Sequence, residues 1–283
     1  MGNIREINSN EIEEAIYKLF LEANINLPCD VHNAIMKAAE NEDTEIGKSI
    51  LCKLDENAIY AKKSKLPICQ DTGMAIVFIE LGQDVHINGD NLNVAVNNGV
   101  RRAYINGSFR KSVVSHPLER KNSGDNTPAV IHTEIIEGNK VKISVSPKGF
   151  GSENMSKLKM FNPSVDTGAI VKFVTETVKE AGGNPCPPII VGVGIGGSFE
   201  YSAYLAKKAL LREVGDHNHD ESYKKLEIEM LDKINKSGVG VQGLGGNNTA
   251  LWVAVEGYAT HIAGLPVAVN ISCHATRHAS III

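Results

Sequence analysis

The sequence predicts a mixed α/β protein, in which a helical N-terminal segment precedes mixed β-sheets with packed helices. Apolar residues recur at helical spacing near the N-terminus, short β-branched runs follow, and strand-like and helix-like segments alternate in the last third. The 283 residues, 42% of them hydrophobic, are enough for a sizeable core. The chain is therefore interpreted as one domain over 1–283, with a possible subdomain join near 154–166.

Three amphipathic helices are predicted before Cys69. Asn10 and Glu13 have the spacing of a capping box, and an apolar stripe with helical period follows them. Pro28 is expected to open a second helix through Ala39, because proline is tolerated in the first helical turn. Apolar residues at helical spacing between 46 and 54 mark a third helix, which leads into the Cys69 loop.

The central part of the chain combines strands with one helix. The apolar, β-branched run 75–81 predicts a strand, and 92–104 predicts a helix that ends near Gly107. Two further β-rich runs, 130–136 and 141–145, are separated by only four residues, so they are expected to form a hairpin.

Strand and helix patterns alternate after Pro163. A helix over 170–181, a continuous apolar strand over 189–193 and a helix over 202–211 predict a parallel strand pair with a crossover helix. Another helix is expected over 223–234, and strands are expected over 250–255 and 267–271.

Composition disfavours several classes of function. A net charge of -4 with only 5% aromatic residues provides neither a basic stripe nor a stacking platform, so no nucleic-acid partner is expected. No apolar run approaches the roughly 18 residues of a spanning helix, and the N-terminus lacks an apolar leader pattern. A cytoplasmic protein without a membrane partner is expected.

Three of the five cysteines lie in loops rich in Pro, Gly, Asn and Ser, and these are Cys69, Cys186 and Cys273. An odd cysteine count without a leader pattern favours reduced thiols over a disulfide framework. Three thiolates from distant loops could hold an iron–sulfur cluster with one iron left open as a Lewis acid. Because no local C-x-x-C spacing supports this, buried unreactive thiols remain the alternative. Cys29 and Cys52 fall in helical patterns and are assigned to packing.

Asp71 is the main acid–base candidate of the Cys69 segment. A neighbouring anionic cluster would favour its protonated form, as a general acid requires. The alternative interpretation is a turn residue, since Asp is common before Thr-Gly.

Two glycine-rich segments invite comparison with nucleotide-binding loops. Gly192–Gly197 follows a strand and precedes a helix, but its G-x-G-x-G-G spacing departs from the dinucleotide fingerprint. These glycines are expected instead to let the backbone approach a cofactor or substrate. Gly238–Gly246 lacks the Gly-Lys-Ser/Thr of a P-loop.

Five motifs, taken together and in this order, resemble class I (iron–sulfur) fumarate hydratases over nearly the whole chain. They are ICQDTG (68–73), GDNTPA (124–129), PKGFGSEN (147–154), CPP (186–188) and the segment around Cys273. The chain is most similar to the alpha subunit of the two-subunit form, in the tartrate dehydratase alpha-type catalytic domain family.

This resemblance implies a cofactor, a reaction and a partner. The cofactor is a 4Fe-4S cluster with one iron not ligated by protein, and the reaction is the reversible hydration of fumarate to (S)-malate in the tricarboxylic acid cycle. A separate beta subunit would complete the active site, giving a hetero-oligomer. The residues implied are Cys69, Cys186 and Cys273 for the cluster, Gln70, Arg110 and Gly151 for substrate binding, and Asp71 and His261 for acid catalysis.

Three alternatives stay open from the sequence. Within the same family the substrate could be L-tartrate or mesaconate. From another class, the chain could be a non-catalytic iron–sulfur sensor or scaffold. A nucleotide-dependent oxidoreductase built on Gly192–Gly197 is the third alternative, and it would need no iron.

Overall fold

A computed structural model describes residues 4–283, and its backbone divides into two compact units. The first unit contains the described part of 1–28 together with 60–150 and 277–283, and the second contains 29–59 and 151–276. The segment 154–166, where the sequence suggests a join, lies inside the second unit. No helix among residues 4–283 is both long and apolar enough to cross a membrane.

Helices and strands alternate through both units, which confirms the predicted mixed α/β class. The helices are α1 (Ser9–Ile25), α2 (Cys29–Asn41), α3 (Glu45–Ser64), α4 (Leu92–Asn106), α5 (Phe150–Glu153), α6 (Thr167–Ala181), α7 (Phe199–Ala209) and α8 (Glu221–Asn235). The strands are β1 (Arg5–Asn8), β2 (Met74–Gly82), β3 (Val85–Asn88), β4 (Val130–Ile136), β5 (Val141–Lys148), β6 (Lys157–Phe161), β7 (Ile189–Gly197), β8 (Ala250–Thr260), β9 (Leu265–Ser272) and β10 (Ala279–Ile282).

The first unit is built on a four-stranded sheet of order β10-β5-β2-β4. Strand β2 is central, parallel to β4 and antiparallel to β5. Helices α1 and α4 contribute their apolar stripes to the same buried core as alternate residues of β2 and β5, such as Val77 and Ile143. A short parallel pair, β1 with β3, belongs to the same unit.

The hairpin predicted between 130–136 and 141–145 is wrong, although both strands exist. Strand β2 lies between β4 and β5, and the link 137–140 passes around its end. There Gly82 N–H donates to Lys140 O at 2.8 Å, and a Cβ atom on Gly82 would lie 2.5 Å from Gly138 O. A four-residue link can wrap around a third strand because that strand ends in a glycine.

The N-terminus of α1 also differs from the prediction. Asn8 is the N-cap, in an extended conformation, and it forms the capping box with Glu11. Glu13, which was paired with Asn10 in the sequence pattern, instead accepts a hydrogen bond from Arg102 at 2.6 Å. Both Asn-x-x-Glu spacings satisfy the capping rule, so the pattern alone could not select between them.

The second unit is built on a sheet of order β6-β9-β7-β8, in which β7 is parallel to β8 and antiparallel to β9. The predicted parallel pair with a helical crossover is therefore confirmed. Helices α6 and α8 share one apolar core with alternate residues of β7, including Val191 and Val193. Helix α7 contacts β7 as well, through the residues that point to the other face.

The glycines of β7 serve helix packing rather than an approach to a cofactor. A Cβ atom on Gly192 would lie 2.1 Å from Ala206 O, and one on Gly194 would lie 2.1 Å from Ser202 O. Both carbonyls belong to α7, so these two glycines let its backbone lie directly against the strand. The expectation that they face a cofactor or substrate is wrong for this pair.

Candidate active site

The first unit contains a cavity of 490 Å³ that brings together two residues singled out by the sequence. Asp71 and Arg110 both line it, although they are 39 positions apart in the chain. A second cation, Arg120, and the side chain of Ser112 also face the cavity. Two guanidinium groups and hydroxyl and carboxylate oxygens suit a small, polar, anionic ligand. Gln70 is exposed beside Asp71 and is not among the lining residues.

The Asp71 carboxylate is oriented by two backbone amides. Gly73 N–H donates to Oδ1 and Phe150 N–H donates to Oδ2, each at 3.0 Å. Gly149 is close to the same group, because a Cβ atom there would lie 3.2 Å from Oδ2. These contacts connect the ICQDTG segment to the PKGFGSEN segment and fix the direction of the acid that the sequence proposes.

Three consecutive carbonyls of this loop each accept a hydrogen bond from a buried side chain. Arg277 Nη2 donates to Asp71 O at 2.7 Å, the Tyr104 hydroxyl donates to Thr72 O at 2.7 Å, and Asn126 Nδ2 donates to Gly73 O at 3.1 Å. Burial raises the pKa of Tyr104 well above its usual range, so the phenol stays protonated and remains a donor. Because these three successive carbonyls are held, the loop has the rigidity that an acid–base site requires.

Asn126 also holds the loop that carries Arg110. Its Oδ1 accepts from Ser112 N–H at 2.7 Å and from Val113 N–H at 3.3 Å, and the side chain is fully buried. The Thr72 hydroxyl adds a bond to Arg110 O at 2.9 Å. The backbones behind Asp71 and Arg110 are thus connected to each other, which explains how two distant motifs share one cavity.

Asp125, next to Asn126, is part of a polar support behind the cavity. Partial burial would raise its pKa, but hydrogen bonds from Arg101, at 2.8 Å, and from Thr127 outweigh it and lower the pKa to about 2. Asp125 is therefore ionised at neutral pH and fixes the turn that positions Asn126.

Arg277 is a buried cation with hydrogen-bonding capacity to spare. Only 2% of the residue is exposed, and its Nε and Nη1 atoms are buried without a hydrogen-bond partner. Arg277 contacts the ICQDTG motif through the hydrogen bond that it donates to the backbone carbonyl of Asp71. The sequence interpretation did not single out Arg277, because a lone Arg after a cysteine motif has no recognisable pattern.

In the second unit, the loops of Cys186 and Cys273 are connected by a histidine. Cys186 has a left-handed conformation with φ of 54° and is exposed. Its carbonyl accepts from the backbone N–H of His274 at 3.4 Å and lies 3.0 Å from His274 Nδ1, which assigns the proton to that nitrogen. Cys273, which follows β9 and precedes His274, is partly exposed.

The second glycine-rich segment supports the Cys186 loop. Gln242 donates to Pro187 O from both its backbone N–H, at 2.9 Å, and its side-chain Nε2, at 2.7 Å. Gly243 lies against Gly183, and the space between them is too small for a Cβ atom. Gly243 therefore serves the close packing of two loops, and no phosphate cradle is needed to explain it.

Glu153 of the PKGFGSEN motif belongs to a buried polar cluster. Its carboxylate contacts the Lys207 ammonium and accepts from Asn270 Nδ2 at 3.1 Å. Burial lowers the pKa of Lys207, while the nearby Glu153 works to raise it. Gly151, the predicted backbone contact for substrate, is exposed at the start of this segment.

His261 lies in the turn that follows β8 and is exposed. Its Nδ1 accepts from Ala263 N–H at 3.1 Å, so Nε2 carries the proton and points its N–H away from that turn. The predicted role of His261 as an acid stays a prediction.

The thiols of Cys69, Cys186 and Cys273 are all at least partly accessible. Cys69 and Cys273 are partly exposed, Cys186 is exposed, and among residues 4–283 no cysteine forms a disulfide. No three His, Cys, Asp or Glu side chains in this range are grouped to hold a single metal ion. Accessible thiols have the chemistry of iron–sulfur ligands, and the unpartnered Nε and Nη1 donors of Arg277 suit an anion.

Comparison with known proteins gives a consistent family assignment. The family model described as fumarate hydratase (Fumerase) matches residues 13–282. A Methanocaldococcus jannaschii protein with the provisional name L(+)-tartrate dehydratase subunit alpha is 43% identical, over 95% of this chain and 96% of its own length. L(+)-tartrate dehydratase subunit alpha of Escherichia coli strain K12 is 30% identical, over 97% and 91% respectively. The match covers nearly the whole chain, and this chain therefore belongs to the fumarate hydratase (Fumerase) family of hydro-lyases.

Proposed function

We propose that this chain is the alpha subunit of a two-subunit iron–sulfur hydro-lyase that removes water from L-(+)-tartrate. The choice of tartrate as substrate rests on the name shared by the relatives, each of which is matched over at least nine-tenths of its length. The proposed acid catalysis and carboxylate binding are supported by the cavity that Asp71 and Arg110 both line. A beta subunit, implied by those same names, would supply the remaining groups of the active site.

The proposed cofactor is a 4Fe-4S cluster held by Cys69, Cys186 and Cys273. When bound, it would supply an iron not ligated by protein as a Lewis acid for the departing hydroxyl group. The connection between Cys186 and His274 supports two of these positions, because it keeps both cysteine loops of the second unit together. The Cys69 loop is held as well, because the Tyr104 hydroxyl donates to the carbonyl of Thr72, three residues after Cys69.

The remaining chemistry is assigned to side chains of this chain. Arg110 would bind a substrate carboxylate in bidentate fashion, with Gln70 and the backbone at Gly151 as further contacts. Asp71 or His261 would deliver the proton with which the hydroxyl leaves as water. The proton on the neighbouring carbon would go to a base on the beta subunit. Loss of water from tartrate yields an enol, which rearranges to a 2-oxo acid.

Fumarate hydration is the second candidate. It is supported by the likeness of 125–128 and 148–154 to the corresponding fumarase segments, while mesaconate hydration lacks a comparable observation. Tartrate differs from malate by one hydroxyl group, and a site that hydrogen-bonds this group would discriminate strongly against malate.

Turnover by the co-expressed alpha and beta subunits, purified without oxygen, tests the substrate directly. Tartrate, malate, fumarate and mesaconate are compared at equal concentration. Dehydration of tartrate or malate is followed by the gain in ultraviolet absorbance of the oxo or unsaturated product, and hydration of fumarate or mesaconate is followed by the loss of the substrate's absorbance. We expect the highest kcat/KM for L-(+)-tartrate. A higher kcat/KM for malate or fumarate would reverse the assignment in favour of the second candidate.

The variant Asp71→Asn separates an enzyme from an iron–sulfur sensor. The amide side chain keeps an acceptor for a backbone N–H but cannot deliver a proton, so turnover should fall by about 10²–10⁴-fold while iron content stays unchanged. Gln83→Asn, a substitution in the turn after β2, is the control and should leave turnover unchanged. Full turnover in Asp71→Asn would exclude this residue as the acid.

A further inference from the structure

Arg277 has an unexplained combination of charge, burial and unused donors. Nη2 donates to Asp71 O at 2.7 Å, while Nε and Nη1 lie buried without a hydrogen-bond partner, and the residue is 2% exposed. A guanidinium has five N–H donors and keeps its charge at any relevant pH. A buried cation whose donors are unmatched is strongly destabilising unless an anion compensates it.

Within residues 4–283, Arg277 forms no ion pair with a carboxylate, and its Nε and Nη1 atoms have no hydrogen-bond partner. The Asp71 carboxylate is engaged by the amides of Gly73 and Phe150, and Arg277 contacts only the carbonyl of that residue. Tyr104 is close enough for the charge of Arg277 to act on its pKa, but burial raises that pKa and keeps the phenol neutral. An anion that binds from outside this part of the chain would match both the charge and the two unused donors.

We propose that the unpartnered edge of Arg277 binds the anionic iron–sulfur cluster, an inference that rests on the proposed function. Arg277 donates to the carbonyl of Asp71, which lies two residues after Cys69. Arg277 itself lies four residues after Cys273 in the chain, so both the residue and its hydrogen-bond partner are close in sequence to proposed cluster ligands. Three thiolates around the cluster leave a net negative charge, and N–H donors to its sulfur atoms tune its potential and stability.

A substrate carboxylate is the other anion with suitable chemistry, and the geometry favours the cluster. The cavity of 490 Å³ is lined by Asp71, Arg110 and Arg120, whereas Arg277 is not among its lining residues. A substrate that enters this cavity meets two other arginines first. Arg277 is therefore assigned to the permanently bound anion and acts on the reaction only through the cluster.

The test is a thermodynamic cycle on the alpha–beta complex, with and without the reconstituted cluster. Arg277→Met removes the charge and retains an apolar side chain of moderate size, whereas Arg277→Lys keeps the charge and loses the planar fork. Arg277→Met loses the bond to Asp71 O both with and without the cluster, so this loss cancels. We expect the increase in Tm on cluster loading to be smaller in Arg277→Met than in wild type, with Arg277→Lys between them.

Two further readouts do not depend on activity. Removal of a nearby positive charge disfavours the reduced cluster, so the midpoint potential of Arg277→Met should be more negative, and its iron should be lost faster to a chelator. Arg102→Met is the matched control, because Arg102 is partly exposed and pairs with Glu13 and Glu14. It should lower Tm equally with and without cluster, and should leave the potential unchanged.

The possible outcomes separate this inference from the proposed function. A Tm increase and a potential equal to those of wild type in both Arg277 variants would overturn the inference. A difference that emerges only after tartrate is added would also overturn it, in favour of a substrate carboxylate. Failure of the wild-type complex to bind iron would instead refute the proposed function. If Arg277→Met does not assemble, Arg277→Gln replaces it in the same cycle.

Discussion

Substitution of Asn126 should release both loops of the candidate active site. Its side chain makes three buried hydrogen bonds, to the amides of Ser112 and Val113 and to the carbonyl of Gly73, and the residue has a φ of 64°. At about 1 kcal/mol each, loss of these bonds should destabilise the local structure by about 3 kcal/mol. Asn126→Ala should lose about 1 kcal/mol more than Asn126→Gly, because alanine tolerates positive φ less well.

Hydrogen exchange followed by mass spectrometry measures this effect where it occurs. About 3 kcal/mol corresponds to roughly 10²-fold faster exchange of the Ser112 and Val113 amides, since 1.4 kcal/mol is a factor of ten. Asn122→Ala is the control, because Asn122 lies in the same loop but is exposed, so its bond to Lys111 O should contribute far less. The reasoning is refuted if Asn126→Gly changes exchange at these amides no more than Asn122→Ala does.

Two further predictions concern packing and pH. Gly194→Ala places a Cβ atom 2.1 Å from Ser202 O and should destabilise the second unit by about 1–3 kcal/mol in urea unfolding followed by Trp252 fluorescence. Gly264→Ala, where a Cβ atom would meet nothing closer than His261 O at 4.0 Å, should be neutral, and equal midpoints would show that α7 does not need the glycine. Asp125 has a folded pKa of about 2 against about 3.9 unfolded, so it contributes about 2 kcal/mol above pH 4 that is lost as pH falls towards 2. Asp125→Asn should remove this part of the acid sensitivity of Tm, and an unchanged pH profile would contradict the assignment.

The sequence predicted the longer elements well, because their periodicity and their burial agree. Helices α1, α4, α6 and α8 and strands β2, β7 and β9 all fall where an apolar period or run places them. Four short strands, β1, β3, β6 and β10, were missed. Each has four or five residues, and such a segment becomes a strand only through the partner it meets, which no local pattern records.

The errors share one physical cause, which is contact between distant parts of the chain. The link 137–140 has the signal of a hairpin, yet β2 occupies the place between its strands. The glycines of β7 have the signal of a ligand-binding loop, yet they face α7. Sequence reasoning singled out Asp71 and Arg110, which line one cavity, but it did not identify Arg277 or Asn126 as supports, because their role depends on burial and long-range hydrogen bonds that no local pattern records.

An anaerobic count of iron and sulfide, with an electron paramagnetic resonance spectrum, tests the central claim most directly. The reconstituted alpha–beta complex should bind about four iron and four sulfide per alpha chain, and mild oxidation should produce a three-iron signal as the unligated iron is lost. Single Ser substitutions at Cys69, Cys186 and Cys273 should each abolish this, while Cys52→Ser should not. Iron binding that survives all three substitutions, or a wild-type complex without iron and sulfide, would contradict the account.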